Sequence, residues 1–175
     1  MTVIVVEGPD GAGKSTLIDN LRLSCDRHHV SMRRSGPPKT LDEIVYIIRW
    51  IEKHNGPTPL ILDRHPFISE DIYGQVLRGK SLLSGYYSIE DYQQHFRTFV
   101  DRIIYCRPPT SIIMQKMHEN PQLKGVKDRI EDITNQYDYT MKLVRHWGVP
   151  VPEYNWLGEH EADSWNLEQL FFGVL

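Results

Sequence analysis

The chain has 175 residues, 40% hydrophobic and 25% charged, with a net charge of −3. These proportions suit one globular domain with a sizeable core. They carry no global basic footprint for nucleic acid, although a local patch is left open, and no apolar run approaches the roughly 20 residues of a membrane span.

Val3–Val6 is too short for a signal segment, so the chain reads as soluble and cytoplasmic. Two cysteines, Cys25 and Cys106, form no CxxC pair, and none of the eight histidines falls in a zinc spacing. Free thiols in a reducing compartment follow.

Short apolar runs alternate with helical stretches along the chain. Residues 2–6 (TVIVV) predict a buried strand ended by glycine, and 14–24 a helix carrying Leu17, Ile18 and Leu21. A weaker strand falls near 29–34. Residues 41–54 predict an amphipathic helix opened by a Thr40/Glu43 capping box. The run 59–63 (PLILD) predicts another strand, followed by a helix over about 66–79 with Pro66 in its first turn. A helix over 88–99 begins with SIED, a second capping box. Residues 101–106 predict a strand, 110–119 and 128–147 helices, 149–154 a last strand and 166–174 a terminal helix. Strands separated by helices imply an α/β fold with a parallel sheet covered on both faces. Ligands bind such sheets beyond the carboxyl ends of the strands. That rim gathers Glu7–Thr16, Arg33, Arg34, Asp63, Arg64 and Arg107.

The segment Gly8-Pro9-Asp10-Gly11-Ala12-Gly13-Lys14-Ser15 fits G-x-x-x-x-G-K-[ST] between a predicted strand and a predicted helix. Glycines let backbone N–H groups turn inward around phosphate oxygens, and the helix N-terminus adds its dipole. Lys14 is placed to reach the β- and γ-phosphates of ATP, Ser15 to bind Mg²⁺, and Thr16 to contact the α-phosphate. Asp63, ending an apolar strand, is the second metal candidate, and Arg64 beside it suits bidentate phosphate contact.

Such a loop leaves the phosphoryl acceptor open. A hydroxyl acceptor benefits from a general base. A monophosphate is already largely ionised at pH 7 and needs cations instead. Arg33, Arg34, Arg49, Arg64, Lys116, Lys124, Lys127 and Arg129 supply them, the last four around a polar lid-like segment at about 118–130.

EGPDGAGKST, LDRHPFISEDIYG, RRSGPP, the IIRW of the second helix and DRIE at 128–131 together resemble the thymidylate kinase family over roughly residues 2–145. The resemblance implies a three-layer P-loop kinase fold, a five-stranded parallel sheet flanked by helices, and commonly a homodimer. It implies ATP and Mg²⁺ as cofactors, held by Gly8, Asp10, Gly11, Ala12, Gly13, Lys14, Ser15 and Thr16, with Ser15 and Asp63 on the metal. It also implies that Asp10 contacts the acceptor's sugar or phosphate, that Arg34 binds the acceptor phosphate, and that Arg49 and Tyr46 meet the base. Arg64 would bridge both phosphates, Tyr73 would line the pocket, and Arg129 would serve the lid, so that Lys14, Asp63, Arg64 and Arg129 form the catalytic set. His65 replaces an aromatic of the family, Gly74 a polar residue, and RRSGPP departs from Arg-Glu-Pro-Gly-Gly. These departures point to a divergent, phage-type member with a drifted base preference.

The implied activity is phosphorylation of a deoxynucleoside monophosphate, dTMP or a modified pyrimidine. The competing readings are a deoxynucleoside kinase, a kinase acting on hydroxymethylated pyrimidine within DNA, and a nucleotide-binding module without turnover.

Overall fold

A computed structural model of the chain describes residues 2–24, 30–32, 37–119 and 125–157. Its elements are β1 (Val3–Glu7), α1 (Lys14–Ser24), β2 (Val30–Met32), α2 (Leu41–Glu52), β3 (Leu60–Asp63) and α3 (Pro66–Arg78). They continue with α4 (Ile89–Phe99), β4 (Arg102–Cys106), α5 (Thr110–Glu119), α6 (Ile130–His146) and β5 (Glu153–Tyr154). The strands form one parallel sheet in the order β2-β3-β1-β4-β5. The central strand is β1. From β1 the chain crosses to the edge strand β2, returns to β3 beside β1, and then moves to the other side of β1 through β4 and β5. The crevice beyond the C-terminus of β1 is therefore the switch point where such sheets bind ligands.

The β-branched runs are explained by burial on both faces. Along β1, Val3 and Val5 pack with Leu60, Leu62, Ile103 and Tyr105 under α2, α3 and α6. Ile4 and Val6 pack with Ile61, Ile104 and the α1 residues Leu17, Ile18 and Leu21. Alternation along each strand thus feeds two cores, and all four apolar residues of β1 are fully buried. Each large aliphatic side chain so buried contributes roughly 1.5–3 kcal/mol.

The helix starts follow from their caps. Ser88 and Asp91 form the complete box at the start of α4. At α2 the Thr40 hydroxyl accepts from the Glu43 amide, but the Glu43 carboxylate reaches one residue further back, to the Lys39 amide. His65 caps α3 through Nδ1, which accepts from the Phe67 amide, with Pro66 in the first turn.

Two expected elements are corrected. The helix expected at 128–147 opens as a 3-10 turn, Lys127–Arg129, and becomes α-helical from Ile130. The strand expected at 149–154 is reduced to Glu153–Tyr154. The carbonyls of Pro150 and Pro152 accept from the Ile103 and Tyr105 amides. The prolines have no N–H to return, so the ladder stays one-sided there. The terminal helix expected at 166–174, with Trp165, lies outside the described residues, as does Cys25. Cys106 is a buried free thiol.

Candidate phosphate-binding site

The loop between β1 and α1 turns where its sequence lets it. A side chain at Gly8, which has φ +145°, would collide with the Cys106 carbonyl of β4, so only glycine lets the loop cross that neighbouring strand end. From the first turn of α1, Lys14 folds back and donates through Nζ to the carbonyls of Gly8 (2.8 Å) and Pro9 (2.6 Å). Its burial, reinforced by the nearby Arg64 guanidinium, pushes its pKa down to about 8.

Arg64 follows β3 and is the only described non-glycine residue with positive φ, +75°. A left-handed backbone costs an L-residue roughly 1–2 kcal/mol. Here it aims the guanidinium across the loop. Nη1 donates to the Gly8 carbonyl (3.1 Å) and the Tyr137 hydroxyl (2.7 Å). Nη2 donates to Asp10 Oδ1 (2.5 Å) and the Tyr73 hydroxyl (3.3 Å). The guanidinium also lies over the Tyr73 ring, 5.1 Å from its centroid. The Asp10 amide donates to the same Tyr73 hydroxyl (3.2 Å). Burial alone would raise the Asp10 pKa, but Arg64 and Lys14 outweigh it and hold the carboxyl below its ordinary value. Asp10 is therefore an ionised carboxylate on the outer arm of the loop, paired with Arg64.

Glu7, the last residue of β1, lies beneath this pair and is fully buried. Its Oε1 accepts from the His65 amide (2.5 Å) and its Oε2 from the Tyr137 hydroxyl (3.1 Å). Burial raises its pKa to about 7 against the pull of Arg64, the His65 amide and Lys14. Burial likewise raises the Tyr137 hydroxyl far above its ordinary value, so that it stays a donor to Glu7.

Of the residues expected from sequence, Gly8, Asp10, Lys14, Arg64 and Tyr73 are brought together by these contacts. Asp63 ends β3 opposite Val6 and close enough for its charge to act on Lys14. Ser15 and Thr16 are exposed at the start of α1. The pairing of a hydroxyl at the helix start with a carboxylate at the neighbouring strand end fits a Mg²⁺-bound triphosphate.

Other expected residues do not join this cluster. Tyr46 and Arg49 lie on the exposed face of α2, Tyr46 at 70% exposure, and the charge of Arg49 reaches the Tyr87 hydroxyl rather than the loop. Arg129 is exposed and paired with Asp132 at 2.5 Å. Arg33, Arg34 and the lid residues 120–124 lie outside the described residues.

Three contributors have no role assigned from the sequence, Glu7 being placed only among the residues of the rim. Glu7 carried a signal, being the one charged residue of a strand otherwise wholly apolar. Tyr137, 130 positions away in α6, carried none locally. Trp156 follows β5 in an Asn155-led turn, and its indole lies against Gly13, with Cδ1 2.9 Å from where a Cβ would stand.

A parallel α/β sheet with a glycine-rich phosphate loop at its central strand is the architecture that fold and site define. No protein-family model and no curated protein sequence matches the chain. Solved structures do. The YorR protein of Bacillus subtilis, in complex with phosphorylated GDP, aligns with a TM-score of 0.63 at 17% identity over 97% of this chain and 91% of its own. Deoxyadenosine kinase of M. mycoides, with the products dCMP and a flexible dCDP bound, aligns with a TM-score of 0.60 at 14% identity over 97% and 96%. The same kinase with dATP bound gives 0.60 at 15% over 93% and 94%. The chain shares its fold with these proteins across nearly its whole length.

Proposed function

We propose that the protein transfers the γ-phosphoryl group of ATP to the phosphate of a deoxynucleoside monophosphate, a pyrimidine such as dTMP or a modified relative. The observation that carries this reading is the cluster around the glycine-rich loop beyond the C-terminal end of β1, where Arg64, Asp10 and Tyr73 bond one another and Lys14 folds back onto the Gly8 carbonyl.

The chemistry needs cations between two anions more than it needs a base. An acceptor phosphate oxygen attacks the γ-phosphorus, the bond from that phosphorus to the β,γ-bridging oxygen breaks, and ADP leaves. Lys14 holds the donor's phosphates. Arg64 stands between donor and acceptor, where charge accumulates as the two approach. Ser15 and Asp63 would hold Mg²⁺, which would supply neutralisation of charge on the donor's phosphates. Asp10, ionised and a hydrogen-bond acceptor only, is suited to a sugar hydroxyl of the acceptor.

Carboxylate placement favours a monophosphate over a nucleoside. A nucleoside hydroxyl calls for a free carboxylate base. At the loop, both Glu7 oxygens are occupied, Asp10 is paired with Arg64, and Asp63 is suited to the metal. The segment after β2 reads Arg33-Arg34, cationic rather than acidic. A homodimer and a cytoplasmic setting belong to the same proposal.

The experiment is ATP/Mg²⁺ turnover against a panel of nucleoside monophosphates, free deoxynucleosides and hydroxymethylated-pyrimidine DNA. ADP release with a pyrimidine monophosphate is expected. Release only with a nucleoside or only with DNA moves the acceptor assignment, and release with none ends the kinase reading.

A further inference from the structure

We infer that Glu7 and Tyr137 are positioning residues, a buried clamp that fixes the orientation of Arg64 from below. This rests on the kinase reading for its consequence but not for its geometry.

Glu7 acts on Arg64 by two routes. Its Oε1 takes the His65 amide at 2.5 Å, directly after the left-handed residue, while the Arg64 amide donates to the Val6 carbonyl at 3.1 Å. The end of β1 thereby holds both peptide groups that flank Arg64. Its Oε2 accepts from the Tyr137 hydroxyl at 3.1 Å, which orients that hydroxyl so that a lone pair faces Arg64 Nη1 at 2.7 Å. The hydroxyl has one proton. Once that proton is committed to Glu7, Tyr137 must act as acceptor towards the guanidinium.

The Tyr137 ring cannot drift. It stacks on Tyr105, with centroids 6.1 Å apart, and meets the edge of Tyr73 at 6.3 Å. Both terminal nitrogens of Arg64 are thus engaged. Nη1 faces Tyr137 and the Gly8 carbonyl, and Nη2 faces Asp10 and Tyr73. The Nη1 side is the buried, permanent anchor. The Nη2 side, against the partly exposed Asp10, is the working edge.

The test uses Glu7→Gln and Tyr137→Phe, both close in shape to the native side chains. Two readouts are needed. Phenylglyoxal labelling of arginine, mapped by mass spectrometry, should speed up at Arg64 by about tenfold in either variant, while exposed Arg49 and Arg129 label at unchanged rates. In turnover, each variant should lose about tenfold or more in kcat with the ATP KM within about threefold. In an Arg64→Ala background the same substitutions should cost no more than about twofold, because the residue they position is gone.

Unchanged Arg64 labelling in both variants overturns the clamp, and so does a kcat loss as large in the Arg64→Ala background as in wild type. A wild-type protein that phosphorylates no acceptor would end the kinase reading, while the labelling still decides the clamp.

Discussion

The carboxylate of Asp10 and the guanidinium of Arg64 meet at 2.5 Å, with side chains 25% and 20% exposed, and join the outer arm of the phosphate loop to the end of β3. An acidic residue inside a phosphate loop would repel its ligand if it faced the phosphates. Pairing with Arg64 gives that charge another direction. Asp10→Ala should therefore raise the acceptor KM by about tenfold or more and leave ATP affinity within about threefold. Steady-state kinetics with each substrate varied, together with calorimetric ATP binding, will measure both. Equal losses would return Asp10 to a purely structural place in the turn.

Glu7 makes stability depend on pH in an unusual direction. Burial raises its folded pKa from 4.5 to about 7. Between those values the folded chain keeps a proton that the unfolded chain has lost. Stability from this group is full below about 4.5 and declines as pH rises through about 7. The slope is on the order of 1.4 kcal/mol per pH unit. His65 and His95 have pKa values lowered by burial and slope the opposite way at acid pH, but they are present in both proteins compared. The Tm of wild type minus that of Glu7→Gln, measured from pH 5 to 7.5, should fall with rising pH. A flat difference would mean that Glu7 stays ionised throughout.

Much of the fold was legible because its signals are local. β1 and β3 are β-branched or leucine runs with a glycine or aspartate stop, and the phosphate loop carries its own spacing. The Ser88 cap of α4 and the first-turn proline of α3, Pro66, sit within four residues of what they start. Long-range geometry was not legible. Tyr137 looks like any core tyrosine until α6 lays it against Glu7, and Trp156 looks like a packing residue until the chain after β5 returns over Gly13. The short extent of β5 is a proline effect that hydrophobicity alone overlooks. Tyr46 and Arg49, assigned to the acceptor by a resemblance in sequence, stand on the exposed face of α2, apart from the contacts that gather around Arg64.

Gly74 has a steric explanation of its own. A Cβ there would stand 2.7 Å from Ser81 Cα and 3.1 Å from Glu70 Oε1. The segment after α3 folds back over the helix, held by the Leu82 amide donating to Glu70 at 2.9 Å and the Lys80 amide donating to the Gly74 carbonyl at 3.1 Å. Introducing the polar residue typical of the family that the sequence resembles, as Gly74→Gln, should destabilise by about 1–3 kcal/mol through overpacking. Gly74→Ala should already show most of that loss, since the backbone of Ser81 meets the first added carbon. Urea midpoints for both variants will test this. Midpoints within error of wild type would mean that the 79–84 segment moves aside freely.

Trp156 lies against Gly13, immediately before the lysine expected to hold the donor's phosphates. Trp156 is 36% exposed, so a nucleotide entering the loop would change both its contacts and its solvent. Of the four tryptophans, Trp147 is buried in the core under α6 and Trp50 is only partly buried at the edge of the same cluster, on α2. ATP should therefore change tryptophan emission, and Trp156→Phe should remove most of that change. The same variant keeps an aromatic ring against Gly13, so its ATP affinity should fall by no more than about threefold, whereas Trp156→Ala should lose roughly tenfold by exposing the loop and surrendering the ring contact. Fluorescence titration of the three proteins, with calorimetry as an emission-independent check, separates reporting from binding. An ATP-induced emission change of full size in Trp156→Phe would place the donor's influence at another tryptophan and detach Trp156 from the phosphate site.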